Sequence, residues 1–201
     1  DASNPSPVFP SGAITGGTFS GTTGLVINST TGEIDLMSSM KRVAKELLTL
    51  PTFENTSKGL FTEEKKVLNN LKKAVLLVAG SVSEKLGNKI ATEQEVMMNI
   101  ADMIIETYVL ESALLKTEKL VMKNGEKKTA EQIAMCINFQ HQSVEKISKN
   151  GKEALYAISE GDEQKILLLG LKRFTKINAS NLKENRRLIA KKLIETNKYC
   201  F

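Results

Sequence analysis

Histidine and cysteine set the limits on catalysis in this sequence, because both are scarce. His141 is the only imidazole, and Glu145 follows it by four residues, so both could share a helix face and do acid and base work. Cys136 lies five residues before His141, off that face, and is interpreted as a small buried side chain. No nucleophile stands at a suitable spacing. A surface or core histidine is therefore favoured, and no catalytic residue is assigned.

Three carboxylates, Asp102, Glu106 and Glu111, interrupt the most apolar part of the chain. Such residues bind paired metal ions when Glu-x-x-His motifs accompany them, and the sequence contains no such motif. The prediction is instead a set of buried ion pairs with lysines of neighbouring helices. The early glycines match neither GxGxxG nor GxxxxGK[ST]. No metal site and no cofactor-binding residue is therefore assigned to this chain.

The last 37 residues carry the strongest electrostatic signal, with ten basic side chains against Glu184 and Glu195. Such a surface could attract the phosphates of coenzyme A, anionic lipid headgroups or nucleic acid. Nucleic acid is least favoured, because aromatic residues for stacking are few and no DNA-reading motif is present. A solvated basic face is the favoured interpretation. The candidates for contact with an anionic membrane or protein surface are Lys172, Arg173, Arg186, Arg187, Lys191 and Lys192.

Length and composition suit a globular domain with an extra module, at 201 residues and 41% hydrophobic content. Two cysteines without CxxC spacing indicate neither a disulfide framework nor a zinc site, so a reducing, cytoplasmic environment is expected. No apolar run is long enough to cross a bilayer and no secretory signal is recognisable, so we expect a soluble chain. Residues 1–35 hold three acidic and no basic side chains, which leaves 28 basic and 20 acidic ones in 36–201. This asymmetry predicts two modules with a boundary at residue 35.

The first 35 residues are rich in Gly, Ser and Thr, with short β-type runs such as 24–28 between them. This composition cannot sustain a helix and predicts a β-hairpin or an extended segment. A flexible linker remains the alternative, because a lone hairpin is marginal without a sheet to join.

From Leu36 onward, apolar residues recur at three- and four-residue steps, which predicts an all-α bundle of about six helices. The predicted helices cover about 36–50, 62–86, 92–122, a segment from 129 beyond 147, 162–175 and 182–197. Thr62, Thr92 and Thr129 are the expected N-caps, the last two in capping boxes with Glu95 and Gln132. The third helix is apolar over so wide an arc that we expect it at the centre, surrounded by the others.

Several strings resemble the C-terminal region of very-long-chain-type acyl-CoA dehydrogenases. They are residues 100–108 (IADMIIETY) with 111–120 (ESALLKTEKL), flanked by 70–80 (NLKKAVLLVAG) and 197–201 (NKYCF). The similarity covers about residues 33–201 in the same order. These are packing motifs, so their specificity lies in their combination.

The resemblance implies a helical domain appended after a flavoprotein core that binds FAD. In that family a glutamate of the core removes the substrate α-proton while the β-hydrogen leaves as hydride to the flavin. That glutamate stands in a Glu-Gly-Thr-Asn type string, whereas Glu160-Gly161-Asp162 agrees at two positions only and falls in a turn between helices. No catalytic residue carries over. The implied partners are the parent dehydrogenase core and a second subunit of a homodimer, with FAD in the parent enzyme.

Residues 1–32 depart from that family. Residues 16–20 and 23–32 look like pieces of the immunoglobulin-like repeats of bacterial surface proteins. A gene fusion, an engineered junction or a wrongly assembled reading frame would each produce this change. The alternative function is therefore a surface or secreted interaction protein defined by its N-terminal segment.

Overall fold

The computed structural model describes residues 18, 20–21, 25–47 and 59–198. Its helices and strands, in chain order, are β1 (Val26–Ile27), β2 (Ile34–Asp35), α1 (Leu36–Leu47), α2 (Thr62–Leu86), α3 (Gln94–Asn124), α4 (Ala130–Ile158), α5 (Gly161–Phe174) and α6 (Leu182–Thr196). The predicted all-α bundle is confirmed, with six helices among the described residues. The predicted end of the first helix near residue 50 and most of the segment before β1 lie outside them. No described helix is both long and apolar enough to span a membrane.

The predicted hairpin is present and is tied to the first helix. Strand β1 pairs antiparallel with β2, with Val26 opposite Asp35. The Asn28 side chain accepts two backbone N–H bonds in the turn, and Gly32 takes a positive φ of 74° that favours glycine. On α1, the Ser39 hydroxyl accepts the Val26 N–H at 2.7 Å and donates to the Asp35 carbonyl at 2.6 Å. The short hairpin therefore gains contacts that an isolated one would lack.

Helix α2 is the centre of the bundle. It packs against α1, α3, α4 and α5, and its residues 76–82 are all buried. Helix α4 is the second axis, because α3, α5 and α6 also pack against it. A helix surrounded in this way must be apolar around most of its circumference, as α2 is in this segment.

The prediction that α3 lies at the centre is wrong. Only one face of α3 packs against α2 and α4, and its buried residues are Val96, Ile100, Met103, Thr107, Leu110, Leu114, Thr117 and Val121. On the opposite side, Ile104, Ile105 and Val109 are exposed although their spacing suggested burial. A wide apolar arc shows that a helix surface favours contact over water, and it does not identify the element that covers it.

Helix starts differ from the predicted caps. The hydroxyls of Thr62, Thr92 and Thr129 each donate to a carbonyl of the preceding turn, so none of the three caps a helix with its side chain. The side-chain caps are at Asp35, which accepts the N–H three residues on at 2.8 Å, and at Asn181. Hydrogen bonds from Ser38 hold the pKa of Asp35 below its usual value.

Candidate functional site

Helix α4 carries the residues considered for catalysis, and the structure does not bring them together. His141 is half-buried, Glu145 is exposed one turn further on, and no hydrogen bond joins them in the described part of the chain. Cys136 is 4% exposed, which confirms it as a small buried side chain. Burial raises the pKa of the Cys136 thiol. A hydrogen bond with the Thr117 side chain lowers this pKa in part, and the negative charge of Glu64 raises it further. A thiol in this state is a poor nucleophile.

The α3 carboxylates serve as interhelical ion pairs in two of three cases. Glu106 is 14% exposed and pairs with Lys146 of α4 at 3.2 Å, and Glu111 pairs with Lys72 of α2 at 2.6 Å. Asp102 is exposed and has no ion pair among the described residues, so the prediction is wrong there. The described residues contain no group of three or more metal-ligating side chains. Glu106 and Glu111 therefore hold α3 against its two neighbours, α4 and α2.

A surface depression lies where α3 begins, against the end of α4. Its lining residues are Thr92, Glu93, Gln94, Glu95, Val96, Asn99, Glu153 and Ala157. Three of them are carboxylates and none is basic, so the depression repels phosphate and carboxylate groups.

The six basic candidates lie on two helices with different neighbours. Helix α5 packs against both α2 and α4, whereas α6 packs against α4. Arg173 and Lys192 are half-buried, and the other four are exposed. Arg187 and Lys191 pair with glutamates of α6 at 3.1 and 3.8 Å, so part of the local charge is neutralised. Ile194, 79% exposed, follows them on the same face of the helix, one turn beyond Lys191. The structure therefore gives a mixed basic and apolar face on α6, with the α5 candidates on a separate helix.

One surface escaped the sequence analysis. The outer face of α3, here called the outer stripe, consists of Met97, Ala101, Ile104, Ile105, Tyr108, Leu115 and Met122. Its large side chains are 41–73% exposed. The sequence carried the signal as the wide apolar arc of this helix, which predicted burial on all sides. Large exposed apolar patches mark interaction sites more often than they mark solvated faces.

Comparison with known proteins places these helices in a family. The sequence matches the family described as "Acyl-CoA dehydrogenase, C-terminal domain" over residues 70–173, about half of the chain. This chain belongs to that family. The acyl-CoA dehydrogenase match runs from α2 to the end of α5, so it includes the elements that form the centre of the bundle. The resemblance stated from the sequence is thereby confirmed.

Two relatives agree with this assignment. A "Probable acyl-CoA dehydrogenase" from Bacillus subtilis (strain 168) is 32% identical over 168 residues, which cover 84% of this chain and 28% of the relative. A crystal structure of an acyl-CoA dehydrogenase complexed with FAD from Bacillus anthracis is 30% identical, with a TM-score of 0.76 over 83% of this chain. It too is matched over 28% of its length. These comparisons give no support to the alternative of a surface or secreted interaction protein.

Proposed function

We propose that this chain is the C-terminal assembly and docking domain of an FAD-dependent acyl-CoA dehydrogenase of fatty-acid β-oxidation, and that it is not catalytic in isolation. The family match over residues 70–173 carries the proposal. The matched helices contribute packing residues, whereas dehydrogenation needs a base and a hydride acceptor beside one substrate. Three carboxylates line the depression at the start of α3, but no imidazole or basic side chain lines it with them.

FAD would be held by the part of the parent enzyme outside this bundle. The Bacillus anthracis relative is described as complexed with FAD, and this chain matches 28% of it. The depression at the start of α3 does not fit the cofactor, because it is acidic and repels a pyrophosphate. Gly87 and Gly125, which have positive φ, close the C-terminal ends of α2 and α3, whereas a pyrophosphate favours a helix N-terminus. No step of the flavin chemistry is therefore assigned to this chain.

The proposed partners are the flavin-containing core of the dehydrogenase and a second copy in a homodimer, in the cytoplasm. The relatives are about three times as long as this chain, so a domain of this kind has a large neighbour to contact. The exposed apolar residues of the bundle supply surfaces for such contacts.

The basic residues of α6 are the proposed contact with an anionic membrane or protein surface. The triple variant Arg186→Glu, Arg187→Glu and Lys191→Glu should reduce co-sedimentation of the chain with anionic phosphatidylglycerol vesicles by about tenfold or more at low salt, because three charges change sign. The control variant reverses the charges of Lys127 and Lys128, which are exposed residues between α3 and α4. It should bind the vesicles nearly as well as the unchanged chain does. Equal binding by all three proteins would contradict this contact.

A domain exchange tests the proposed function. In the Bacillus subtilis relative, the segment that matches this chain is replaced by this chain, and a second version lacks the segment. The exchanged enzyme should contain FAD, reduce a dye with an acyl-CoA substrate and keep its oligomeric mass, whereas the shortened version should lose that mass and most of its activity. An unrelated helical bundle of equal length serves as the control insert. The proposal fails if the shortened enzyme assembles and turns over like the intact one.

A further inference from the structure

We propose that α6 is a hinged strap that exchanges between a state docked on α4 and a released state, and that the released state makes the proposed contact with an anionic membrane. The inference deepens that contact and rests on it. It starts from how little holds α6 in place. None of its residues is buried, and the hydrophobic core, with the half-buried residues packed on it, ends at Ile177. Segments with few buried apolar contacts open at a low free-energy cost.

The side of α6 that faces α4 is largely polar. Its half-buried residues recur in steps of three and four, and they are Leu182, Asn185, Ile189, Lys192 and Thr196. Two of the five are aliphatic. The Asn185 Nδ2 atom is buried and has no hydrogen-bond partner within the described residues. A buried amide without a partner has lost its hydration and gained nothing in return, so it weakens the docked state.

Helix α4 meets this seam with a second unpartnered amide. Gln140 and Ser143 bond to α2 and α3, and Asn138 lies about 140–160° round the helix from both, on the outer face of α4. That face is exposed further along, for example at Tyr156, whereas Asn138 is 9% exposed, so α6 covers the first half of the face. The Asn138 Oδ1 atom has no hydrogen-bond partner among the residues that the structure describes. Release of α6 lets water reach both amides.

Salt bridges give a second measure of this weak attachment. Helices α1, α3 and α5 are each tied to α2, through the pairs Glu46 with Lys73, Glu111 with Lys72 and Glu163 with Lys85. In the described part of the chain, the salt bridges of α6 join residues of α6 to one another. These pairs stay intact when α6 leaves α4, so they do not oppose its release.

The hinge consists of residues 178–181, which are exposed between Ile177 and the start of α6. Asn181 caps α6 with its side chain, so the cap moves with the helix. In the docked state, Leu182 and Ile189 face α4. In the released state they lie on a helix with basic sides, which is the kind of helix that binds in the interface of an anionic membrane. Such a membrane therefore favours the released state.

Hydrogen exchange of the full 201-residue chain, followed by mass spectrometry, tests the strap. The amides of α6 should exchange together, at least about 100-fold faster than those of α2. Asn138→Leu replaces an unpartnered amide by an apolar side chain of similar size, so it should slow exchange in α6 by about threefold to tenfold. It lies on α4 and leaves the helix propensity of α6 unchanged. The matched control is Asn69→Leu, exposed on α2, which should leave exchange in α6 unchanged.

A second variant loosens the seam. Ile189→Ala removes apolar contact with α4 and should speed exchange in α6 by about fivefold or more. Ile194→Ala is its control, because Ile194 is 79% exposed on another side of α6, and it should leave the exchange unchanged. Exchange in α6 as slow as in α2 would overturn the strap, as would equal exchange in the unchanged chain and in both seam variants.

Vesicle binding tests whether release governs the membrane contact. Because the released fraction is the one that binds, Asn138→Leu should weaken co-sedimentation with anionic phosphatidylglycerol vesicles by the factor by which it slows exchange in α6. Asn69→Leu should bind the vesicles as the unchanged chain does. Unchanged binding by Asn138→Leu, with exchange in α6 slowed, would overturn the link between release and contact. Failure of the proposed contact itself shows in the charge-reversal variant of α6, so the two failures are distinguishable.

Discussion

Replacing Leu77 by alanine should lower the free energy of unfolding by about 2–5 kcal/mol, which corresponds to a melting point lower by roughly 5–15 °C for a chain of this size. Leu77 is 1% exposed in the fully buried stretch of α2. Four helices pack against α2, so the surroundings cannot collapse into the space that the missing side chain leaves. Chemical denaturation followed by far-UV circular dichroism measures the change.

Leu169→Ala is the matched control for this truncation. Leu169 is 67% exposed on α5, so its removal should change the free energy of unfolding by less than about 0.5 kcal/mol. Equal destabilisation by the two variants would show that α2 is not the centre of the bundle.

Replacing Gly80 by alanine should destabilise the protein by about 1–3 kcal/mol, although alanine favours helices more than glycine does. At Gly80, α2 lies so close to α1 that an added Cβ would overlap the Cβ of Met40. Because that atom is attached directly to the backbone of α1, relief requires the whole helix to move. We expect hydrogen exchange to show lost protection in α1 and retained protection in α3 and α4.

Gly151→Ala provides the comparison for Gly80→Ala. An added Cβ at Gly151 would lie 3.0 Å from the terminal methyl groups of Leu171 and 3.3 Å from the Met103 methyl, which are the movable ends of flexible side chains. The cost should therefore be smaller, with protection in α1 unchanged. A Gly80→Ala variant that is more stable than the original chain would contradict the close packing of α1 on α2.

The sequence predicted which segments are helical because amphipathic spacing is a local property. Helix α2 begins at Thr62 and ends at Leu86, which are the bounds predicted from its apolar spacing, and the ends of α3 fall two residues from the predicted ones. The caps failed at Thr92 and Thr129 because a hydroxyl can bond the preceding carbonyl as readily as the following N–H. Side-chain caps depend on the path of the chain before the helix, which periodicity does not contain.

Burial was harder to predict than helicity. The apolar arc of α3 suggested a central helix, but contacts on one face with α2 and α4 leave the other face open. The ion pairs of Glu106 and Glu111 were predictable, since a carboxylate on an apolar helix needs a compensating charge. The identity of each lysine partner was not, because it depends on the relative positions of α2 and α4.

The central claim is that this chain supports the assembly of a flavin enzyme whose chemistry lies outside these helices. Equilibrium dialysis of the purified 201-residue chain against FAD tests it most directly, with the visible flavin spectrum recorded before and after addition of an acyl-CoA. We predict no saturable FAD binding and no bleaching of the flavin band. One FAD bound per chain, with bleaching by the acyl-CoA, would show that these helices hold the reactive site themselves.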